Sequence, residues 1–207
     1  MHVEMIDLLR CPNPHADSWL VASADETMAR HVVRGTLGCP VCLAEYPVRD
    51  GVAELGAAVE AGLASDASEP DDALRIAALL GLTESGGTVA LGGAWDRVAA
   101  ALVELTGVRV LLVDPPTAPP LRDDMSAVRG GGVPVTPASL RGVALDARTA
   151  DESRLAAAVR ALRTRGRLVA PATARVPAGV TELARDARLW VAERGDVASS
   201  PIALQRR

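Results

Sequence analysis

The chain has 207 residues, a net charge of −4, no lysine, no phenylalanine and only three cysteines. That length buries a sizeable core and suits a small module beside a medium domain, and no apolar run nears the roughly 20 residues of a membrane helix. Three cysteines, all before residue 43, argue against a disulfide framework and for thiolate chemistry in a reducing, cytoplasmic setting.

The opening stretch, MHVEMIDLLRCP, is too acidic and interrupted for a signal peptide. Short apolar pieces follow, SWLVA, HVVRGTL and EYPV, separated by turn signals as in a small β module over residues 1–56. Residues 57–72 are small, polar and acidic and read as a linker. Residues 1–72 carry 4 Arg against 13 acids, whereas residues 73–207 carry 18 Arg against 13. The acidic part repels phosphates and is a poor nucleic-acid clamp; the basic part could attract an anion, and the plainer reading is that the two halves attract each other.

From residue 73 the period changes. ALRIAALLGL and DRVAAALVELTG repeat apolar residues at helical spacing and end at Gly81 and Gly107, where a left-handed cap suits glycine. GTVAL, VRVLLVD, GVALD and GRLVAP are continuous apolar runs of strand length, as in strands covered on both faces. Over RTADESRLAAAVRALRTRG, Thr149 and Glu152 have capping-box spacing, Leu155, Val159 and Leu162 share a face, and Gly166 ends the helix. Arg154, Arg160 and Arg163 fall mostly on the other faces and read as solvated surface. Strand-helix-strand repeats predict an α/β fold with a mostly parallel sheet flanked by helices.

Cys39-Pro40-Val41-Cys42 is a C-x-x-C turn of the kind that supplies two thiolates to tetrahedral zinc. Cys11 and His15, separated by Pro12-Asn13-Pro14, offer a second pair. The predicted site is therefore Cys11, His15, Cys39 and Cys42, closed and structural, replacing a core that some 55 residues cannot build. A buried cysteine pair beside a surface histidine is the plainer reading. His31 competes for the fourth place, but it lies beside Val32 and Val33 on an expected strand, and His2 is near the terminus.

The runs IDLLRCP and GTLGCPVCLAEYPVRDGVAEL resemble the zinc-ribbon activator subunits of RNA and release-factor methyltransferases and their small bacterial relatives. That family usually has a further cysteine near the position of His15. The resemblance implies a zinc ribbon over about the first 55 residues and a protein partner, because in the family the module helps a methyltransferase fold or stay soluble. Residues 73–207 are in turn similar to the Rossmann-like fold of S-adenosylmethionine-dependent methyltransferases. TVALGGAWDRVAAALVEL stands as first strand, loop and helix, VRVLLVDPP as second strand, and ARLWVAERGDVASSPIALQRR as a closing antiparallel hairpin.

This second resemblance implies S-adenosylmethionine held by Gly92, Gly93 and Asp114, the acid ending the second strand. Ala90, Ala94 and Asp96 depart from the family's acid and glycines, and Asp96 is read as a helix N-cap. Residues 73–207 contain no His, Cys, Lys or Tyr, which leaves carboxylates and hydroxyls for acid-base work. DPPT, residues 114–117, reads as a proline-stiffened turn, and Asp146 is the better-placed carboxylate for a substrate. One Tyr and three Trp offer little stacking for RNA. The leading expectation is a zinc ribbon fused to a methyltransferase-like domain with a degenerate cofactor loop, acting as a non-catalytic binding or scaffold partner. The alternative is an active methyltransferase on a small molecule or RNA.

Overall fold

The computed structural model describes residues 1–57 and 71–195. The expected linker lies, for residues 58–70, outside the described residues, as does the chain after residue 195. The described residues form one sheet of eleven strands flanked by few helices. In chain order the elements are α1 (Val3–Ile6), β1 (Val21–Met28), β2 (His31–Gly38), β3 (Glu45–Arg49), β4 (Val52–Glu54), α2 (Asp72–Leu79) and β5 (Thr88–Gly92). A 3-10 turn, Gly93–Val98, leads into α3 (Ala99–Thr106). There follow β6 (Arg109–Val113), β7 (Met125–Arg129), β8 (Leu140–Ala144), α4 (Glu152–Ala161), β9 (Leu162–Pro171), β10 (Val180–Arg185) and β11 (Leu189–Arg194).

The strand order is β1-β2-β3-β4-β7-β6-β5-β8-β9-β11-β10. Strands β7, β6, β5, β8 and β9 are parallel, and β10 and β11 close the far edge as an antiparallel hairpin. Over residues 73–195 this is the mostly parallel sheet with an antiparallel end that the sequence predicts, whereas β1–β4 continue it as antiparallel strands. Its central strands TVALG, RVLLV and LRGVA are covered on both faces, which is why they show continuous apolar runs.

Side chains on these strands alternate between two cores, as a period of two requires. Val89, Leu91, Val110 and Leu112 pack with Ile76 and Leu80 of the α2 region and Leu102 of α3. Ala90, Leu111, Val113 and Val143 face the other way, toward Leu155 and Ala158 of α4 and toward Met5, Leu9, Leu37, Tyr46 and Val48. The N-terminal residues therefore cover part of the sheet face that α4 also covers. They also extend the sheet, because β4 pairs in parallel with β7, Val52 opposite Ala127. Residues 1–56 thus do not build a sheet and core of their own, as a stand-alone ribbon would. Apolar packing joins the two regions, and an ion pair between Glu4 and Arg109 (2.5 Å) spans them.

Local chemistry shifts several predicted boundaries. Gly107 is the left-handed C-cap of α3, with φ 64°, as its spacing predicts. Asp96 is no N-cap: it sits inside the 3-10 turn, and Val98 precedes α3. The cap of α4 is Asp151, whose carboxylate accepts from Arg154 N at 3.0 Å, so Thr149 is free for another role. The helix ends at Ala161, and Gly166 lies within β9 rather than stopping α4. No helix among the described residues is long and apolar enough to cross a membrane.

Candidate functional sites: a cysteine-histidine cluster and a closed crevice

Two turns bring the four predicted ligands together. The C-x-x-C lies between β2 and β3, tightened by Cys39 N to Ala44 O (2.9 Å) and Leu43 N to Cys39 O (3.0 Å). Opposite it, Cys11 N bonds Ser18 O (3.0 Å) and Arg10 bridges to Trp19, closing the loop that carries His15. One ligand atom from each of Cys11, His15, Cys39 and Cys42 lies within 4.8 Å of all the others.

Two of the six spacings match the edges of a tetrahedron around zinc, and all lie within 4.8 Å. Zn–S bonds of about 2.3 Å and Zn–N bonds of about 2.05 Å give edges of about 3.8 Å between sulfurs and about 3.5 Å between sulfur and nitrogen. Cys11 Sγ and Cys42 Sγ are 3.7 Å apart, and Cys39 Sγ and His15 Nε2 are 3.4 Å apart. Nδ1 of His15 is 2.6 Å from the Ala16 carbonyl oxygen. Facing an acceptor, Nδ1 carries the proton, which leaves the Nε2 lone pair for a metal.

The surroundings of the sulfurs are built for thiolates. Backbone N–H groups of Asn13 serve Cys11, those of Val41 and Cys42 serve Cys39, and that of Ala44 serves Cys42. Two side chains complete the set: the Tyr46 hydroxyl is 3.3 Å from Cys11 Sγ, and Asn13 Nδ2 donates to Cys42 Sγ at 3.4 Å. The Asn13 amide, with Ala44 N–H, pulls the Cys42 thiol down to about 6. Burial raises Cys39, but the N–H groups of Cys42 and Val41 outweigh it and leave that thiol below its ordinary value. Burial pushes Cys11 up despite Tyr46, and the same burial with the neighbouring Cys11 keeps Tyr46 protonated. The bond to the Ala16 carbonyl raises His15. Three sulfurs and one imidazole, each with its outer partner, fit a resident zinc ion.

The second cluster lies where the sheet's strand order reverses, between β5 and β8, the place where α/β sheets take ligands at their carboxyl ends. Gly92 ends β5, Gly93 opens the turn after it, and Asp114 follows the neighbouring β6. The glycines do permit a close approach, but of the chain itself. Gly93 has φ +63°, and a Cβ on it would overlap the Asp146 carboxylate, while one on Gly92 would lie 2.7 Å from Thr149 Oγ1 and from Leu145 Cδ2.

Asp146 accepts from Ala94 N (2.9 Å), Arg148 Nε (3.1 Å) and Thr149 Oγ1 (2.7 Å). Burial opposes its charge, yet those donors hold it below the usual carboxylate range. Asp114 accepts from Gly130 N (2.7 Å) and from Arg154 (3.2 Å), and its side chain is only 1% exposed. Arg154 also pairs with Asp151, so it is no solvated surface residue. As they stand, Gly93, Asp114 and Asp146 are engaged by groups of the chain itself.

The sequence reading missed Asn13, Tyr46, Thr149 and Arg154. Asn13 could have been found, since it sits between two prolines inside the Cys11–His15 loop. Arg154 could not, because its partner Asp114 is 40 residues away.

No protein-family model matches the sequence, and no curated protein matches it. Among solved structures, the chain is similar to the antibiotic-resistance methyltransferase Kmr, with 15% identity over 68% of this chain and 100% of the other, TM-score 0.42. It is also similar to the Burkholderia thailandensis 1,6-didemethyltoxoflavin-N1-methyltransferase, with 18% identity over 61% of this chain and 78% of the other, TM-score 0.45. A third likeness is to Haemonchus contortus phosphoethanolamine N-methyltransferase 2, at 15% identity over 49% of this chain, TM-score 0.42. The chain spans only 27% of that enzyme's length, and 44% of a geranyl diphosphate methyltransferase.

Proposed function

We propose that this chain is a zinc-stapled, methyltransferase-like scaffold that does not transfer methyl groups and serves a protein partner in a reducing, cytoplasmic setting. Zinc at Cys11, His15, Cys39 and Cys42 plays the part of a ribbon's core. With all four tetrahedral places taken by protein, it keeps no position open for water and acts structurally.

The observation that carries the non-catalytic reading is the closed crevice: the Asp146 carboxylate sits on Gly93 and Ala94 N, and Asp114 is sealed under Arg154. Calorimetric titration with S-adenosylmethionine tests it. No heat of binding up to millimolar supports the scaffold; micromolar binding that Asp114→Ala abolishes overturns it.

A second reading, an active methyltransferase on a small molecule or RNA, draws support from the strand order and from Gly92, Gly93 and Asp114 meeting at its reversal. It requires the loop after β8 to swing away from Gly93. The same titration separates the two.

A further inference from the structure

The two side-chain donors at the sulfurs are crossed between the turns. Asn13 belongs to the Cys11–His15 loop but donates to Cys42 of the C-x-x-C turn (3.4 Å). Tyr46 follows the C-x-x-C turn on β3 but reaches back to Cys11 (3.3 Å). Backbone N–H groups come with any turn of this shape, whereas these two contacts depend on side-chain identity. They also fall on the more accessible cysteines: Cys42 is exposed and Cys11 partly so, while Cys39 is buried.

A zinc ion with three thiolates carries a net negative charge, and the sulfurs hold most of it. A donated N–H or O–H draws density from a sulfur, which weakens it as a nucleophile and lowers the energy of its lone pairs. Resting on the zinc assignment above, we propose that Tyr46 and Asn13 are positioning residues that protect the metal-bound Cys11 and Cys42 from electrophiles, so that the ion stays bound when thiol-reactive compounds meet the exposed face of the site. The protection is chemical rather than steric, because an exposed cysteine is not shielded by burial.

Iodoacetamide tests this on the full chain. It alkylates a thiolate by forming an S–C bond as the C–I bond breaks and iodide leaves; the thioether is a poor zinc ligand, and a colorimetric chelator takes the released ion. Tyr46→Phe and Asn13→Ala should each release zinc about tenfold or more faster than wild type, the loss of one charge-assisted hydrogen bond. In the cobalt-substituted protein each should move the sulfur-to-metal charge-transfer band to lower energy. Ser18→Ala, which removes a nearby hydroxyl bonded to Trp19 O and not to sulfur, should leave the band in place whatever it does to melting.

Release within twofold of wild type with an unshifted band in both variants overturns the proposal while leaving the metal site standing. Wild-type protein that takes up neither zinc nor cobalt in stoichiometric amount overturns the metal assignment and this proposal together. Because Asn13 is exposed, its variant tests the idea even where Tyr46→Phe perturbs the core.

Discussion

The cysteine-histidine cluster and the crevice at the strand reversal are both knots of charged and polar groups, and they are finished in opposite ways. At the cluster, three sulfurs are met by neutral N–H and O–H donors, and no arginine bonds them among the described residues. Negative charge gathers there and asks for a cation. At the crevice, Asp114 and Asp146 are each met by an arginine and by backbone N–H groups, so the charge is settled within the chain. Ligand-binding capacity follows from what a chain leaves unpaired, and glycines and acids in the right order do not reveal that.

Removing a ligand should separate the regions most sharply. Cys39→Ser is expected to lower the metal content from about one zinc per chain to near zero, and its melting temperature to fall by more than about 10 °C. Elemental analysis and a thermal scan check both. Asp114→Asn should leave the zinc count untouched, and a variant that lost metal through Asp114 would break the contrast.

Next in size is the shared core. Leu9 and Leu111 are both fully buried in the same apolar cluster, one from each region. Leu9→Ala and Leu111→Ala should each cost about 2–5 kcal/mol. Urea unfolding followed at Trp190, in the same cluster but on β11 near the far edge of the sheet, should move to lower urea in both cases with one transition. A Leu9→Ala protein whose Trp190 transition stays in place would mean that the N-terminal region melts by itself.

A smaller loss is expected at the crevice. Asp114→Asn keeps the shape but removes the charge facing Arg154, and should cost about 1–3 kcal/mol in the same urea experiment. Tighter binding of S-adenosylmethionine by this variant than by wild type would show that the acid pair, rather than the loop, keeps the crevice shut.

The smallest effect is in acid. Arg122 holds Asp124 below the usual range; Asp146 and Asp151 stay low against burial, through Ala94 N–H and Arg154 respectively. Unfolded carboxylates titrate near 4, so over this range these three bind fewer protons in the folded chain than in the unfolded one. Their stabilisation is present in full above about pH 4 and is lost as pH falls through the lower folded values. Asp146→Asn should flatten that acid limb, measured by urea midpoints between about pH 5 and pH 2.

What the sequence disclosed follows from how local each feature is. Cys11, His15, Cys39 and Cys42 were legible because ligand chemistry is written in short spacings, as were the central strands, whose apolar runs record burial on both faces. Strand β7 was not foreseen: MSAVR carries the buried Ser126, and its place comes from register with β6 on one side and β4 on the other. The glycines at 92 and 93 were read as cofactor contacts; the group that Gly93 meets in the fold, Asp146, comes some 50 residues later and was not foreseen. Thr149 and Glu152 matched a capping box, yet Asp151 makes the cap and Thr149 serves Asp146.

The pairing of β4 with β7 also bears on how the chain is made. Val52 meets Ala127, a partner about 75 residues further on that a ribosome delivers several seconds later at about 5–20 residues per second. Until then the nascent hairpins present an open strand edge and an uncovered apolar face, held in shape by the local loops around Cys11 and Cys39. Zinc captured early would keep that waiting segment from sticking to its neighbours, so zinc scarcity during synthesis should harm yield more than zinc removal from the finished protein.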